Sequence, residues 1–456
     1  MVIAKTTRLI ATCLIASAAA YGQTADSTAT DGGRWSLQRC LDYATERNIS
    51  IKINEANASS AEIDKRTAKA AFLPSLNANV GQRVVNNPYS ESNTIIDGDR
   101  IASTASKTSY NGSYGIDLSW TLYEGNRRIN DYRQQKVAAQ IARLTVDESI
   151  NSIHESIVQA YIQILYAAEA VEINRATLAS SIAERERGEA LLEAGTLSQA
   201  DYAQLVANES SDRYALVSAE ATLDGYKLDL KQLLELDTTD SIDIEPLDIS
   251  DAEVYAMLPD KEEIYESALA MRPEIKAGEL AIEQSELNAT AAKSGYIPTL
   301  SLSAGIGSSH TNGNDFSFSE QMKTNWNNSV GLTLSIPIFD RRQTKSNVQK
   351  ARLQTDISRL QLDDSKKTLR KSIESLWLNA RSAQKQFAAA NERVKSCSTS
   401  YHLVSEQFSL GMKNTVELLQ EKNNLLAAQH EMLQAKYTSI LNTTLLDFYS
   451  YGVIDL

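Results

Sequence analysis

Apolar and polar residues alternate strictly in four short stretches of the chain. Leu76, Ala78, Val80 and Val84 alternate with Asn77, Asn79, Gly81 and Arg83, and Ile116, Leu118, Trp120 and Leu122 alternate with Gly115, Asp117, Ser119 and Thr121. Further on, Leu300, Leu302, Ala304 and Ile306 alternate with Ser301, Ser303, Gly305 and Gly307, and Val330, Leu332, Leu334, Ile336 and Ile338 make a last apolar face. Period two with one apolar and one polar face predicts half-buried strands. At roughly ten residues each, they have the length of a tilted strand crossing a hydrocarbon core. The connectors 86–111 and 308–327, rich in Ser, Thr, Asn, Asp and Gly, read as long external loops. A soluble sheet lying on a core would show the same alternation.

Between and after the strands the period changes. Ile150, Ile157, Ile164, Val171 and Leu178 recur every seven residues, as do Ile373, Ala380, Phe387, Val394, Tyr401 and Phe408, flanked by Leu369, Leu376, Ala383, Ala390, Cys397 and Val404. Such seams predict coiled-coil helices. No proline lies between Tyr89 and Glu245 or after Pro337, so nothing breaks them. A helix of about 68 residues is a rod of roughly 100 Å, too long for the core of a compact domain.

The chain is also written twice. Lys69-Ala-Ala-Phe-Leu-Pro74-Ser-Leu76 is echoed by Lys293-Ser-Gly-Tyr-Ile-Pro298-Thr-Leu300 at an offset of 224 residues. Gly115 to Glu124 is echoed by Gly331 to Asp340, and Gly195 by Gly411, at an offset of 216. The same 216 maps Ile157 onto Ile373, so the duplication keeps helical phase. Each rod ends at a readable reversal: Gly195 then Ser198 with Asp201, and Gly411 then Asn414 with Glu417, a left-handed stop followed by a capping-box-like start. Leu216, Leu223 and Leu230 line the first returning helix, so two antiparallel helical hairpins result.

Composition narrows the function. The 456 residues carry a net charge of −13 with 42% hydrophobic residues, a folded and acidic protein without a basic block to hold a phosphate backbone. Nucleic acid is excluded as a partner. Lys5 and Arg8 precede an apolar run from Leu9 to Ala20, the layout of an export signal over residues 1–22. Thr12 before Cys13 disfavours lipid attachment, and Cys40 and Cys397 read as buried thiols. His154, His310, His402 and His430 show no ligand spacing, so neither a metal nor another cofactor is expected. Nor is there a nucleophile-elbow serine, a His-Glu metal helix or a phosphate loop, which argues against an enzyme. No apolar run outside the leader is long enough for a transmembrane helix, so any membrane passage is made by strands.

The order and duplication of these motifs carry a resemblance. Trp120-Thr-Leu-Tyr-Glu-Gly125 and Ile336-Pro-Ile-Phe-Asp340, Phe72-Leu-Pro74 and Tyr296-Ile-Pro298, the tips Glu193-Ala-Gly-Thr and Leu410-Gly-Met-Lys, Arg272-Pro-Glu and the opening Trp35-Ser-Leu-Gln together resemble the TolC family of outer-membrane efflux proteins. The resemblance implies a mainly α protein with a membrane β-barrel. It implies a homotrimer in which each chain gives four strands to a twelve-stranded barrel set on a long α-helical coiled-coil barrel. Its segments would be the signal (1–22), an N-terminal segment and helical arm (23–73), a first β-hairpin (74–123) and a first long helical hairpin (124–235). An equatorial segment (236–272), a second arm (273–297), a second β-hairpin (298–339), a second helical hairpin (340–449) and a tail (450–456) would follow. Physics asks for the same closure, because four strands cannot close a barrel and an open edge in lipid leaves costly unpaired groups.

The resemblance further implies a passive exit duct for efflux or type I secretion, coupled to an inner-membrane pump through a periplasmic adaptor. The adaptor would dock on the tips, at Gly195, Thr196, Leu197, Ser198, Asp201, Gly411, Met412, Lys413, Asn414 and Glu417. Outer-membrane lipid would face Leu76, Val80, Ile116, Leu118, Trp120, Leu122, Leu300, Leu302, Leu332, Leu334 and Ile336. Trp120, Tyr123 and Phe339 would be interfacial aromatics or core residues. Family members narrow the entrance with acids before the second tip. Here the stretch from Thr399 to Ser405 holds His402 and no acid, so His402 is either the constricting residue or a plain exposed histidine. The competing reading is a periplasmic coiled-coil scaffold without a pore.

Overall fold

The computed structural model describes residues 34–89, 93–97, 100–104, 107–237, 239, 241–246, 250–312 and 316–454; the leader and Cys13 lie outside them. In the first half, α1 (Leu37–Arg47) and α2 (Ile49–Ala70) lead into β1 (Ser75–Asn86), a small hairpin β2 (Asn93–Asp97) and β3 (Arg100–Thr104), and β4 (Thr108–Glu124). Two long helices follow, α3 (Arg127–Glu193) and α4 (Gln199–Leu233). The middle holds α5 (Asp251–Val254), α6 (Lys261–Met271) and α7 (Pro273–Lys293). The second half repeats the plan with β5 (Thr299–Thr311), α8 (Phe318–Thr324), β6 (Asn327–Ser335), α9 (Gln343–Ser409) and α10 (Thr415–Tyr451). The chain is mainly helical, and α3 and α9 are 67 residues each.

Local chemistry sets the boundaries. Pro74 bars helical geometry at the residue before it, so α2 stops and β1 starts. The strand-to-helix corners need two successive left-handed residues: Gly125 and Asn126 at φ 64° and 65°, and Arg341 and Arg342 at φ 52° and 67°. A Cβ on Gly125 would sit 2.8 Å from the Cβ of Ile297, which explains glycine there. Arg128 clasps this corner, donating to the carbonyls of Ala71 and Thr121. At the far ends Gly195 and Gly411, at φ 70° and 72°, reverse the chain. Asn414 and Glu417 form a full capping box. Ser198 caps α4 by accepting from the Asp201 N–H while its hydroxyl donates to the Asp201 carboxylate.

Strands β1, β4, β5 and β6 form one antiparallel sheet in that order. All helices adjoining it leave from one end, so the 87–107 and 312–326 connections mark the opposite end. Down the rods, three apolar clusters hold the helices together. The largest surrounds the middle of α3 and includes Ile157 and Ile164 from the seam and the neighbouring Tyr161, with Cys40 and Leu41 of α1 and Phe387 of α9. There the residue just ahead of α1 pairs with the segment after α4, Trp35 bridging Ile244 in parallel. The fully buried Tyr161 hydroxyl donates to the carbonyls of Trp35 and Glu245 at 3.2 and 3.0 Å. Arg272, at the joint of α6 and α7, is buried against the Tyr449 ring at 3.7 Å and pairs with Glu155 at 3.1 Å. A second cluster joins α6, α7, α9 and α10 around Ile373 and Ala380, and a third joins both tips around Leu205, Phe408 and Leu418.

The structure corrects several expectations. The last strand ends at Ser335, so Ile336 and Ile338 fall beyond it; Pro337 has no N–H for a ladder. The register slips between Thr121 and Tyr123, a bulge that puts Tyr123 rather than Leu122 opposite Leu300. The two connectors are not plain loops, since they hold β2, β3 and α8. Cys40 is buried, its thiol pushed up to about 12 by burial, but Cys397 is only half-buried.

Candidate functional site: a duct wall and its two ends

The register brings the alternating residues onto two clean faces. On one face Leu76 lies opposite Leu118, then Ala304 and Val330; Trp120 lies opposite Leu302 and Leu332; and Ile116 lies between Ala78 and Ile306. Among the described residues, this face of the four strands carries no Asp, Glu, Lys or Arg. The other face is Ser, Thr, Asn and Gly apart from Val85, with two charges, Arg83 and Asp117, up to the bulge. Asn79 donates to Asp117 at 2.9 Å. Leu76 and Val80, of the residues expected to meet lipid, are wide open, and Leu300 and Leu302 are half-buried. At the helical end of the sheet, the Trp120 indole N–H donates to the Phe72 carbonyl at 2.9 Å, which fixes the ring at the strand terminus.

At the opposite pole the expected tip residues divide. Gly195, Thr196, Ser198, Gly411, Met412 and Asn414 are exposed, whereas Leu197 packs into the third apolar cluster and Asp201, Lys413 and Glu417 are half-buried by their own caps. Lys413 donates to Glu417, which together with the Asn414 N–H holds that carboxyl below the usual carboxylate range. Leu410 and Val416, neither of them among the expected docking residues, are exposed on either side of Met412 and extend its apolar surface. His402 is 72% exposed and 3.5 Å from Glu406 one turn along, as an ordinary surface histidine would be.

Roughly two to four turns above the tips lies a buried polar cluster made by all four long helices. Lys422 of α10, 5% exposed at its side chain, meets Glu184 of α3 at 3.2 Å and Asp212 of α4 at 3.1 Å. Its ammonium also donates to Ser181, whose hydroxyl donates to Asp212. Tyr401 of α9 donates to Glu184 at 2.6 Å, and burial with that carboxylate raises the phenol's pKa. Asn208 completes the set, donating to Asp212 at 3.0 Å. Sequence reading missed this cluster, whose members are scattered over four helices and follow no motif.

A charge-free apolar sheet face, a polar reverse face and rods of roughly 100 Å define a class: a strand-borne membrane wall continued by a helical duct. Among the described residues no helix is long and apolar enough to cross a membrane. The family model described as outer membrane efflux protein matches residues 40–235 and 264–444. The chain therefore belongs to the outer membrane efflux protein family, in line with the TolC resemblance, and is an outer-membrane efflux channel. It is 24% identical over 334 residues to the outer membrane efflux protein BepC of Brucella suis, covering 72% of this chain and 70% of that one. It is 22% identical over 419 residues to the outer membrane protein TolC of Salmonella enteritidis, covering 89% and 80%. The Campylobacter jejuni CmeC outer membrane channel has the same fold, with a TM-score of 0.76 at 18% identity over 92% of this chain and 86% of that one. The scaffold reading gains no support from these relatives.

Proposed function

We propose that three copies of this chain close into one duct, with the sheets forming a barrel in the outer membrane and the helices a tunnel through the periplasm. The observation that carries this reading is a matched pair of open edges. β1 and β6 are the outer strands of the sheet, and among the described residues neither pairs with another strand on its far side. They run antiparallel to each other, so β6 of one copy can pair with β1 of the next and continue an all-antiparallel ring. Below them, α2 enters β1 and α9 leaves β6, and both show apolar side chains to solvent. Leu353, Leu360, Leu378 and Leu403 are all exposed on α9. They fall within about 20° of one line at about 100° per residue, a stripe along the whole rod. Ile53 and Ile63 on α2, and Tyr214, Val217 and Leu228 on α4, are the exposed apolar surfaces suited to receive it. An edge that meets a different edge of the next copy is a heterologous contact, which makes a closed ring when the rotation between copies divides a full turn.

Three copies fit better than two. An eight-stranded barrel is filled by its own side chains, whereas twelve strands lined by Ser, Gly, Thr and Asn leave an aqueous lumen. The apolar face then meets lipid and the polar face lines the pore, nearly neutral up to the bulge, which suits a conduit for varied cargo in efflux or secretion. No chemistry is required of this chain. An inner-membrane pump supplies the energy, and its periplasmic adaptor docks at the exposed tip residues together with Leu410 and Val416.

The test is mass and conductance of the full exported protein. Light scattering in detergent should give a particle of three chains, and that particle should conduct ions across a planar bilayer. A single chain that stays in solution without detergent and carries no current would overturn the reading. For the tips, a photo-crosslinker at Met412 should capture the adaptor, and one at Tyr214 should capture a second copy of this chain.

A further inference from the structure

We propose that α8 is an interfacial anchor, a short helix folded onto the outside of the barrel rim where it beds into the outer-leaflet boundary between headgroups and acyl chains. The inference rests on the reading that the apolar sheet face meets lipid. Strand register places α8 on that face. Tyr114 is opposite Ser308 and Gly112 is opposite His310, in phase with Ile116 opposite Ile306. α8 covers this even-numbered row: the Ser308 hydroxyl donates to the Met322 carbonyl at 2.9 Å, and the Phe318 ring stands edge-on to His310 at 5.0 Å. A helix over the odd-numbered row would instead sit in the lumen.

The seat is built for this contact. The His310 ring is stacked on Tyr114, 5.9 Å between centroids, and a Cβ on Gly112 would lie 2.2 Å from the imidazole Cε1, so only glycine leaves room for the ring. The helix is tied down at its middle and at its C-terminal end, by Gln321 accepting from the Thr311 N–H at 2.8 Å and by Asn325 donating to the Ser309 carbonyl at 2.7 Å. A full capping box at Ser317 and Glu320 starts it. The exposed large side chains here are aromatic: Phe318 on the helix is 55% and Trp326, just past its C-cap, 56% exposed, with Lys323 and Glu320 of the helix also exposed. Aromatic side chains beside a cation, at the end of a band without charges and far from the helical rods, match the interfacial zone of a bilayer. The occupant is lipid rather than a neighbouring copy, because the seat is on the inner strands β4 and β5, away from the edges β1 and β6.

The experiment uses trimers reconstituted in phospholipid vesicles, with nitroxide labels at Met322→Cys and, separately, Leu118→Cys in a Cys397→Ser background. Accessibility to oxygen against a water-soluble nickel reagent should place the Met322 label at shallow depth and the Leu118 label deep in the hydrocarbon. A Met322 label as nickel-accessible as one at Asn87→Cys, with the Leu118 label in lipid, overturns the anchor and leaves the barrel intact. A nickel-accessible Leu118 label overturns the face assignment and the anchor with it. A milder measurement needs no label: emission lost between wild type and Trp326→Phe should be quenched by lipids brominated near the headgroup. If aqueous iodide quenches it and those lipids do not, the anchor is refuted.

Discussion

Helices α3 and α9 are copies of one rod with different lives. Both are 67 residues, both are entered through two left-handed residues, and their seams coincide under the same offset. Yet α3 has α1, α2, α4, α7 and α10 around it, whereas α9 packs on α6, α7 and α10 and leaves its leucine stripe bare. Duplication kept length and phase, and the neighbours decided which copy became an axle and which an edge. The difference matters because a ring of subunits needs an edge, and a protomer needs an axle on which to fold before it meets its neighbours.

The sharpest break of that comparison is a pair of substitutions. Tyr161→Ala in α3 removes a fully buried ring and two hydrogen bonds that pin Trp35, ahead of α1, and the segment after α4. It should cost about 4 kcal/mol of protomer stability, read as a large fall in the thermal midpoint. Leu360→Ala in α9 should cost the folded protomer less than about 0.5 kcal/mol while shifting the proposed trimer toward monomers in detergent. Equal loss of protomer stability from both would show that α9 is no edge.

Next in size comes the charge buried near the tips, which also separates the copies. At an offset of 216 residues, Ser181, Glu184 and Asp212 correspond to Cys397, Ser400 and Ala428, and Lys422 corresponds to Val206. The buried cation and its acidic pair are thus not repeated at the corresponding positions, and together they tie the two hairpins of a protomer to each other. Lys422→Met leaves two carboxylates facing each other without their cation and should cost about 3 kcal/mol. Adding Glu184→Gln and Asp212→Asn removes the stranded charge and should recover much of the loss. Thermal midpoints of the single and triple variants check this, and a triple variant weaker than Lys422→Met would refute it.

What could be read in the sequence was whatever repeats locally. The alternation of Leu76 to Val84, the seam from Ile157 to Val171 and the turns at Gly195 and Gly411 all express a period or a φ angle that the residues themselves impose. The bulge near Leu122 stayed hidden because one extra residue leaves the alternation of Trp120 and Leu122 intact. Helix α8 lay in a stretch that its Ser and Asn content marked as loop, although Ser317 and Glu320 at capping-box spacing were a usable signal. The Lys422 cluster gave no signal, since burial of a lysine depends on partners hundreds of residues away. For the same reason Leu353 to Leu403 passed unnoticed: spacings of 7, 18 and 25 residues share a face only on a continuous helix.

The smallest expected effect tells the two tips apart by acidity. At the second tip Glu417 receives the Lys413 ammonium and the Asn414 N–H, and its pKa lies below the ordinary carboxylate value. A carboxylate with a depressed pKa lends stability that is complete above its unfolded value and disappears as pH falls through the folded one. Glu417→Gln retains an acceptor for the backbone but loses the pairing with Lys413, so at neutral pH residues 411–418 should exchange their amides faster than in wild type. As pH drops below the usual carboxylate range, wild type should lose its advantage and the two curves should meet. Residues 195–202, which start α4 from Ser198 and have no such lysine pair in their cap, should exchange alike in both proteins throughout. A gap between wild type and variant that stays constant with pH would mean that the glutamate acts at this tip by shape alone and that its charge contributes nothing there.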